Sequence, residues 1–575
     1  MLDCAIVGGT LVDGTGARPP GPGDLGMRDG RIVALGEPGT LDEPAARTID
    51  ATGLVVCPGF VDPHTHYDAQ LWWDPSATPS SWHGVTSVIS GNCGFTLAPL
   101  KEADADYIRR MMAKVEGMSL AALEQGVPWG WESFGEFLGG LDRSIAVNAG
   151  FLVGHCALRR YVMGTDAVGR EATADEVERM TRALHEAIEA GGLGLSTTRS
   201  STHNDGDGEP VASRWADPDE LLTLCDVVGR HEGTTLEAIV SGCLDRFSDD
   251  EIDLLATMSA RARRPLNWNV LTFGARDRDK VTHQLQASDR AREMGGRVVA
   301  LTMPVHVPMN MSFLTFCALW LIPGWNEVLD APVPERIRRL LDPEVRQRML
   351  DQAADSPTFK FLANFGNYVI GDAFSRRNAE VKGRRVDELA RERGTDPFTC
   401  VAEIVAEDEL RTVLWPQPAA DDDADWAVRG EVWQHPDVML GGSDAGAHLD
   451  RMCGAPYPTR FLGDALRGRR LLPLERAVQL ITDVPARLFG LRDRGRLEVG
   501  GHADIVVFDP DTIDAGPPTL VPDLPGESKR LIAESVGVHH VFVNGVESVV
   551  DGEPTGATPG TVLRSGRDTH TVRTA

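Results

Sequence analysis

His64 and His66 stand one residue apart at the end of the apolar segment Pro58-Gly59-Phe60-Val61-Asp62-Pro63. Alternate side chains of a strand share a face, so both imidazoles can point into one site. Neutral imidazole is the commonest metal ligand, and zinc accepts thiolate and carboxylate as well. Groups of matching chemistry recur downstream, each at or near the end of a segment that reads as a strand. They are Asn92 and Cys93, then His155, then Ser196 with Arg199 and His203, then Glu237, Asn269 and Asp444. Water on a bound zinc has its pKa lowered towards 7. A carboxylate beside that water can take its proton and hand it to a leaving amine.

Residues so far apart can meet only if the fold gathers strand ends together. Strands and helices alternate through the middle of the chain, which favours a parallel sheet. Eight strands are expected, at 55–66, 87–90, 146–154, 193–197, 235–240, 265–270, 297–303 and 438–442. Helices over 174–190 and 218–230 lie between them. The first carries Asp175 and Glu176 in its opening turn and Gly191-Gly192 after its end, the usual start and stop signals. Eight parallel strands with crossovers make an α/β fold, the (β/α)8 TIM barrel, whose catalytic groups sit at the strands' C-terminal ends. The interval 305–435 is too long for one crossover and reads as a helical insertion. Its apolar run, Met311 to Pro323, is too short to span a bilayer and is expected to be a buried helix or a lid. Both chain ends read as short strands with hairpin turns at Asp29-Gly30 and Asn544-Gly545. The expected division is one small β domain from residues 1–57 and 491–575, and a barrel over 58–490.

The charge balance, 57 basic against 85 acidic residues, repels phosphate backbones and anionic lipid. Nucleic acid and membrane surfaces are therefore excluded as expected partners. Nine cysteines, an odd number without CxxC pairs, argue against a disulfide framework and for a reducing cytoplasm. The first residues, Met1-Leu2-Asp3-Cys4-Ala5-Ile6-Val7, lack the basic start and apolar core of a signal peptide.

Several longer motifs then carry a family resemblance. They are PGFVDPHTHYD at 58–68, GNCGFTLAP at 91–99, GHCALRRYVMG at 154–164 and GLSTTRS at 194–200, followed by GGSDAGAH at 441–448, TDVPARLFGL at 482–491, RGRLEVGGHADIVVFD at 494–509 and FVNG at 542–545. Over nearly its whole length the chain resembles the amidohydrolase superfamily, and within it the N-acyl-D-amino-acid deacylases (D-aminoacylases). The resemblance implies a metal-dependent barrel with a small β-sandwich built from both termini. By motif, His64 and His66 would be metal ligands, Cys93 the family's cysteine ligand, and Asp444 the catalytic aspartate. The family usually places a histidine at the end of strand five and another at strand six. Here Glu237 and Asn269 occupy those segments. Glu237 can bind metal through oxygen, whereas amide Asn269 is a poor zinc ligand. The set His64, His66, Cys93, Glu237 and Asp444 suits one zinc ion better than two. His155, Arg159, Arg199, His203, Asn269 and Arg451 are the candidates for substrate contact.

The resulting expectation is a zinc-dependent amidohydrolase that cleaves the C–N bond of a small-molecule amide, an N-acylated amino acid foremost. Two rivals remain open: the same fold acting on a cyclic amide, imide or lactone, and a metal-poor relative that binds a ligand without turnover. Assembly into a homo-oligomer is also left open.

Overall fold

The computed structural model describes residues 1–315, 317–356, 359–418 and 421–574. Eight strand positions follow one another in chain order. They are β1 (Phe60–Asp62), β2 (Val85–Ser90), β3 (Asn148–Phe151, resumed at Val153–Gly154), β4 (Gly194–Arg199), β5 (Thr235–Val240), β6 (Pro265–Trp268), β7 (Arg297–Thr302) and β8 (Val438–Leu440). Each pairs in parallel with the next. All six residues of β5 are buried, as in a parallel sheet covered on both faces. No ladder joins β8 to β1 among the described residues. There the loops beyond the strands close the ring: the Asp444 N–H donates to the His64 carbonyl (3.2 Å) and the His66 N–H to the Ala445 carbonyl (2.7 Å).

Helices fill the crossovers. α1 (Ala105–Val115) and α2 (Leu120–Gly126) separate β2 from β3, while α3 (His155–Met163) and α4 (Ala174–Glu189) separate β3 from β4. α5 (Pro218–Val228) follows β4, and α6 (Asp249–Ala262) follows β5. The start of α4 is fixed by a reciprocal cap between Thr173 and Glu176, and that of α5 by Asp217 accepting from the Glu220 N–H. Such caps satisfy amides that have no partner inside the helix.

The segment expected as the first strand, 55–66, is two elements. Val55–Pro58 pairs antiparallel with Ile505–Phe508 in a separate sheet, and β1 begins at Phe60. Gly59 makes the switch, because a Cβ there would lie 2.1 Å from Thr86 Oγ1. The chain can pass β2 at that point only without a side chain.

That separate sheet has nine strands drawn from both ends of the chain. Ile6, Leu25, Ile32, Val56, Val507 and Phe542 pack on it as one core. Asp29-Gly30 and Asn544-Gly545 turn its hairpins with positive φ at both residues of each pair, as a two-residue hairpin turn requires. A further hairpin, Thr519–Leu524 with Ser528–Ile532, leaves this sheet and packs beside α2. Leu524 meets Ala122 and Leu449 in a small cluster, and the Leu531 N–H donates to the Leu449 carbonyl at 2.6 Å.

Residues 306–422 form a compact unit of their own. Its core gathers Phe313, Trp325, Phe365, Tyr368 and Phe398 beneath helices that include Val386–Arg393 and Pro397–Glu407. The run Met311 to Pro323 is not a helix. Apart from Phe316, which lies outside the described residues, it contributes core side chains from an irregular path with one short 3-10 turn, Ala318–Leu321. Pro323 and left-handed Gly324 (φ +84°) end it. No helix of the described residues is long and apolar enough to cross a membrane.

His83 links the barrel to the C-terminal segment. Its Nε2 donates to the Ala533 carbonyl (3.0 Å) and its Nδ1 pairs with Thr459 Oγ1 (2.7 Å), with the ring fully buried. Burial pushes its pKa down to about 4, against about 6.5 in an unfolded chain. A histidine held neutral contributes stability that is complete above pH 6.5 and is lost as pH falls towards 4. The loss amounts to at most about 3 kcal/mol. Urea unfolding at pH 7.5 and pH 5 should therefore show a drop in stability that is smaller in His83→Gln than in the wild type.

Candidate metal centre

Loops beyond β1, β2 and β8 converge with the end of α1. His64 and His66 lie just past β1, with ring centroids 5.3 Å apart and planes at 76°. Their Nε2 atoms face the same space. His64 Nε2 is 3.5 Å and His66 Nε2 3.2 Å from Asp444 Oδ1, and Cys93 Sγ lies 3.7 Å from His64 Nε2. Glu116, the residue after α1, brings Oε2 to 3.5 Å from His66 Nε2. His448 Nε2 stands 3.6 Å from Asp444 Oδ2 and 3.9 Å from Glu116 Oε2.

These separations suit ligands sharing one ion. Nitrogen and oxygen ligands about 2.1 Å from zinc at tetrahedral angles lie about 3.4 Å apart, and a thiolate a little further from its neighbours. Neither ring nitrogen of His66 has a hydrogen-bond partner, although the side chain is 1% exposed. A buried polar atom left unpaired is costly, and a metal ion would satisfy it. His64, His66 and Cys93 form one potential ligand group, and His66, Glu116 and Asp444 a second that shares His66. Asp444 and His448 keep solvent faces, 27% and 25% exposed, so the cluster opens on their side.

The backbone is strained where the site needs it. Cys93, Asp444 and His448 all adopt left-handed φ, at 54°, 59° and 49°. Each such residue costs roughly 1–2 kcal/mol, and strain of this kind gathers at functional sites. Gly446 lets the β8 loop pass under His66, since a Cβ there would lie 2.3 Å from the His66 carbonyl oxygen.

Charge follows from this packing. Burial pushes the Glu116 carboxyl well above the ordinary range, and repulsion from Asp444, Asp68 and Glu237 adds to it. Burial acts on Asp444 in the same direction, but the imidazoles of His64 and His66 close beside it outweigh that and hold the carboxyl well below the ordinary range. Glu237 is raised to about 7, mainly by burial, against the pull of His64.

The remaining expected residues divide into those that join the cluster and those that do not. Glu237 is wholly buried on β5 and accepts from the Cys93 N–H (2.8 Å), leaving Oε1 without a partner. Asn269, just past β6, donates from Nδ2 to Cys93 Sγ at 3.4 Å. His203 pairs with Thr198 Oγ1 (2.9 Å), and desolvation together with the nearby His448 lowers its pKa to about 3. Arg199 ends β4 and donates to the Ala216 carbonyl, while Arg451 pairs with Asp450 at 2.9 Å in the loop beyond His448.

His155 and Arg159, expected as substrate contacts, lie apart from the cluster. Both nitrogens of His155 are engaged, with Thr197 Oγ1 and Glu220 Oε1 at 2.9 Å each, and Arg159 pairs with the other oxygen of Glu220. All three side chains are buried. His155 opens α3 directly after β3, Arg159 lies one turn on, and an ion triad with Glu220 on α5 engages both. Glu116 and His448 are the residues that sequence reasoning missed. His448 stood inside the GGSDAGAH motif, four residues after Asp444, whereas Glu116 carried no signal beyond its charge.

Known proteins resemble this chain over nearly its whole length. Residues 47–555 match the model of the amidohydrolase family. The chain is 30% identical to a D-aminoacylase of Alcaligenes xylosoxydans xylosoxydans, over 98% of this chain and 97% of that one. A solved D-aminoacylase with a binuclear metal centre is similar at a TM-score of 0.65 and 27% identity, covering 98% of this chain and 100% of the other. An N-acyl-D-glutamate deacylase from Bordetella bronchiseptica, solved with zinc and a phosphonate mimic of the tetrahedral intermediate, is similar at 0.63 and 28%, with the same coverage.

The Glu220 triad gives a direct check on this division of roles. Removing one partner of a buried ion pair costs about 3–5 kcal/mol, so Arg159→Ala should lose that much stability in urea titration. Its metal content per folded chain should equal that of the wild type.

Proposed function

Because this chain belongs to the amidohydrolase family, we propose that its substrate is an N-acylated D-amino acid and that its metal is a single zinc ion. The observation that carries the reading is the unpartnered His66 Nε2, set 3.2 Å from the Asp444 carboxylate. The deacylase names of the similar proteins, and the zinc in one of them, support it.

His64 and His66 would hold the ion through Nε2 and Asp444 through Oδ1. Cys93 lies on the His64 side, and Glu237 behind Cys93. When bound, the ion polarises the amide carbonyl and makes water a competent nucleophile near neutral pH. The Asp444 carboxyl, drawn below the ordinary range by the two imidazoles, would accept the proton that the attacking water loses. It can then deliver that proton to the amine nitrogen as the C–N bond breaks, leaving a carboxylate and a free amine. His448 faces the second oxygen of Asp444 and shares its solvent face, which gives the proton a path to bulk water. Arg199, His203 and Arg451 are the proposed contacts for the substrate's own carboxylate. Nine buried cysteines without a disulfide suit a reducing cytoplasm.

The test is a panel of N-acyl-D- and N-acyl-L-amino acids, hydantoins and lactones, assayed with zinc-loaded protein. Amine release from the D-amides alone is the expected result, and ring opening without amide cleavage would sink the reading. On the best substrate, Asp444→Asn should lower kcat by about 10²–10⁴-fold, the usual worth of a general acid–base.

A further inference from the structure

Glu116 is 3% exposed. No lysine or arginine lies within ion-pair distance of it, and its carboxylate makes no hydrogen bond among the described residues. Its nearest polar neighbours are His66 Nε2 at 3.5 Å and His448 Nε2 at 3.9 Å, and Asp444, Asp68 and Glu237 repel its charge. An ionised carboxylate in that position costs several kcal/mol unless a cation or a proton meets it. We propose that Glu116 is a direct ligand of the metal, replacing from the end of α1 a donor that β5 and β6 do not supply. This rests on the metal-dependent reading of the site.

Two features separate a ligand from a carboxylate that merely orients a histidine. A ligating imidazole normally gives its other ring N–H, the one turned away from the metal, to an outer carboxylate or carbonyl. Glu116 approaches Nε2, the same nitrogen that faces Asp444, and not Nδ1. It therefore stands on the metal side of His66. Its position is also fixed independently of any ion. The Glu116 N–H donates to the Met112 carbonyl at 3.0 Å, and the Glu116 carbonyl accepts from the His448 N–H at 2.5 Å. Left-handed Gly117 (φ +59°) then turns the chain so closely that a Cβ would lie 3.1 Å from His448 Nδ1. Ser119 caps α2 immediately afterwards. The elbow is held by backbone geometry, with its carboxylate aimed into the cluster.

On the β5–β6 side Glu237 and Asn269 each spend one polar atom on Cys93, and their other oxygens, Glu237 Oε1 and Asn269 Oδ1, have no partner among the described residues. Glu237 Oε2 takes the Cys93 N–H, and Asn269 Nδ2 donates to Cys93 Sγ. On the β1–β8 side the free lone pairs are those of His66, Glu116 and Asp444, and these meet as one group.

The experiment measures zinc per chain and zinc affinity by chelator competition for wild type, Glu116→Gln, Glu116→Asp and Glu237→Gln. The visible spectra of the cobalt-loaded forms are recorded as well. Glu116→Gln should bind zinc more than about 100-fold more weakly, beyond the 10–100-fold loss that removal of an outer carboxylate brings. It should also change the cobalt bands, with Glu116→Asp intermediate and Glu237→Gln affected less. The metal-free Glu116→Gln protein should melt no lower than metal-free wild type, because a neutral amide replaces a buried carboxyl; this keeps misfolding separate from ligand loss. Unchanged affinity and spectrum in Glu116→Gln would overturn the proposal and leave the zinc reading standing. A wild type that takes up no zinc would overturn both.

Discussion

Asp62, Asp68, Glu116, Glu237 and Asp444 lie around two imidazoles at one end of the barrel, and among the described residues none of them is within ion-pair distance of a lysine or an arginine. Four are below 5% exposed. Several kcal/mol per unpaired ionised carboxylate would consume the whole stability of a folded domain, about 5–15 kcal/mol. Without a cation, protons must take up the difference. Burial raises the carboxyls accordingly, Asp62 to about 6 and Asp68 and Glu237 to about 7. A divalent ion bound among them replaces those protons, so the same excess of negative charge that burdens the empty site supplies the affinity of the filled one.

These carboxylates also assemble the loops. Asp62 accepts from the His64 N–H and from the Ser443 N–H beyond β8. Asp68 accepts from the Gly91 N–H beyond β2, and Glu237 reaches across from β5 to the Cys93 N–H. Each acid thus receives a backbone amide from another strand's loop, which fixes where that loop carries its own site residue. The left-handed turns at Cys93, Asp444 and His448 are affordable because contacts from several directions over-determine them. The hairpin ending at Ile532 adds one of these: Leu531 bonds the Leu449 carbonyl, next to His448, and Ser528 meets the Ser119 hydroxyl that caps α2. This hairpin therefore braces the two segments that bear Glu116 and His448.

Much of this was legible from residue order, for a definite reason. In a parallel barrel every strand's C-terminal end faces the same mouth, so finding strand ends is enough to gather His64, His66, Cys93, Glu237, Asn269 and Asp444. The rule fails for groups that arrive by other routes. Glu116 comes off the end of a helix, and an isolated glutamate there usually faces water. His448 lies four residues from Asp444, but in a loop of left-handed turns, where that spacing fixes no direction. His155 and Arg159 follow β3 yet turn onto α3, and their partner Glu220 is more than sixty residues away. The segment 55–66 reads as one apolar strand because nothing in its hydrophobicity reveals that Gly59 hands the chain from one sheet to another.

The altered ends of β5 and β6 bear on metal number. In place of histidines they offer a buried carboxyl and an amide, and both are turned towards Cys93. An amide N–H directed at the sulfur favours its thiolate form and leaves it further lone pairs for a metal. Burial, with Glu237 and Glu116 close by, nonetheless raises the Cys93 thiol well above its ordinary pKa, and it is the thiolate that ligates. A first cation would lower that barrier only by binding nearby, where His64 Nε2 stands 3.7 Å from the sulfur. A cation held on the β1–β8 side by His66, Asp444 and their neighbours would therefore also favour the Cys93 thiolate. On the β5–β6 side Glu237 and Asn269 add one carboxylate and one amide in place of two imidazoles, and that change of donors is the ground for proposing one ion rather than two.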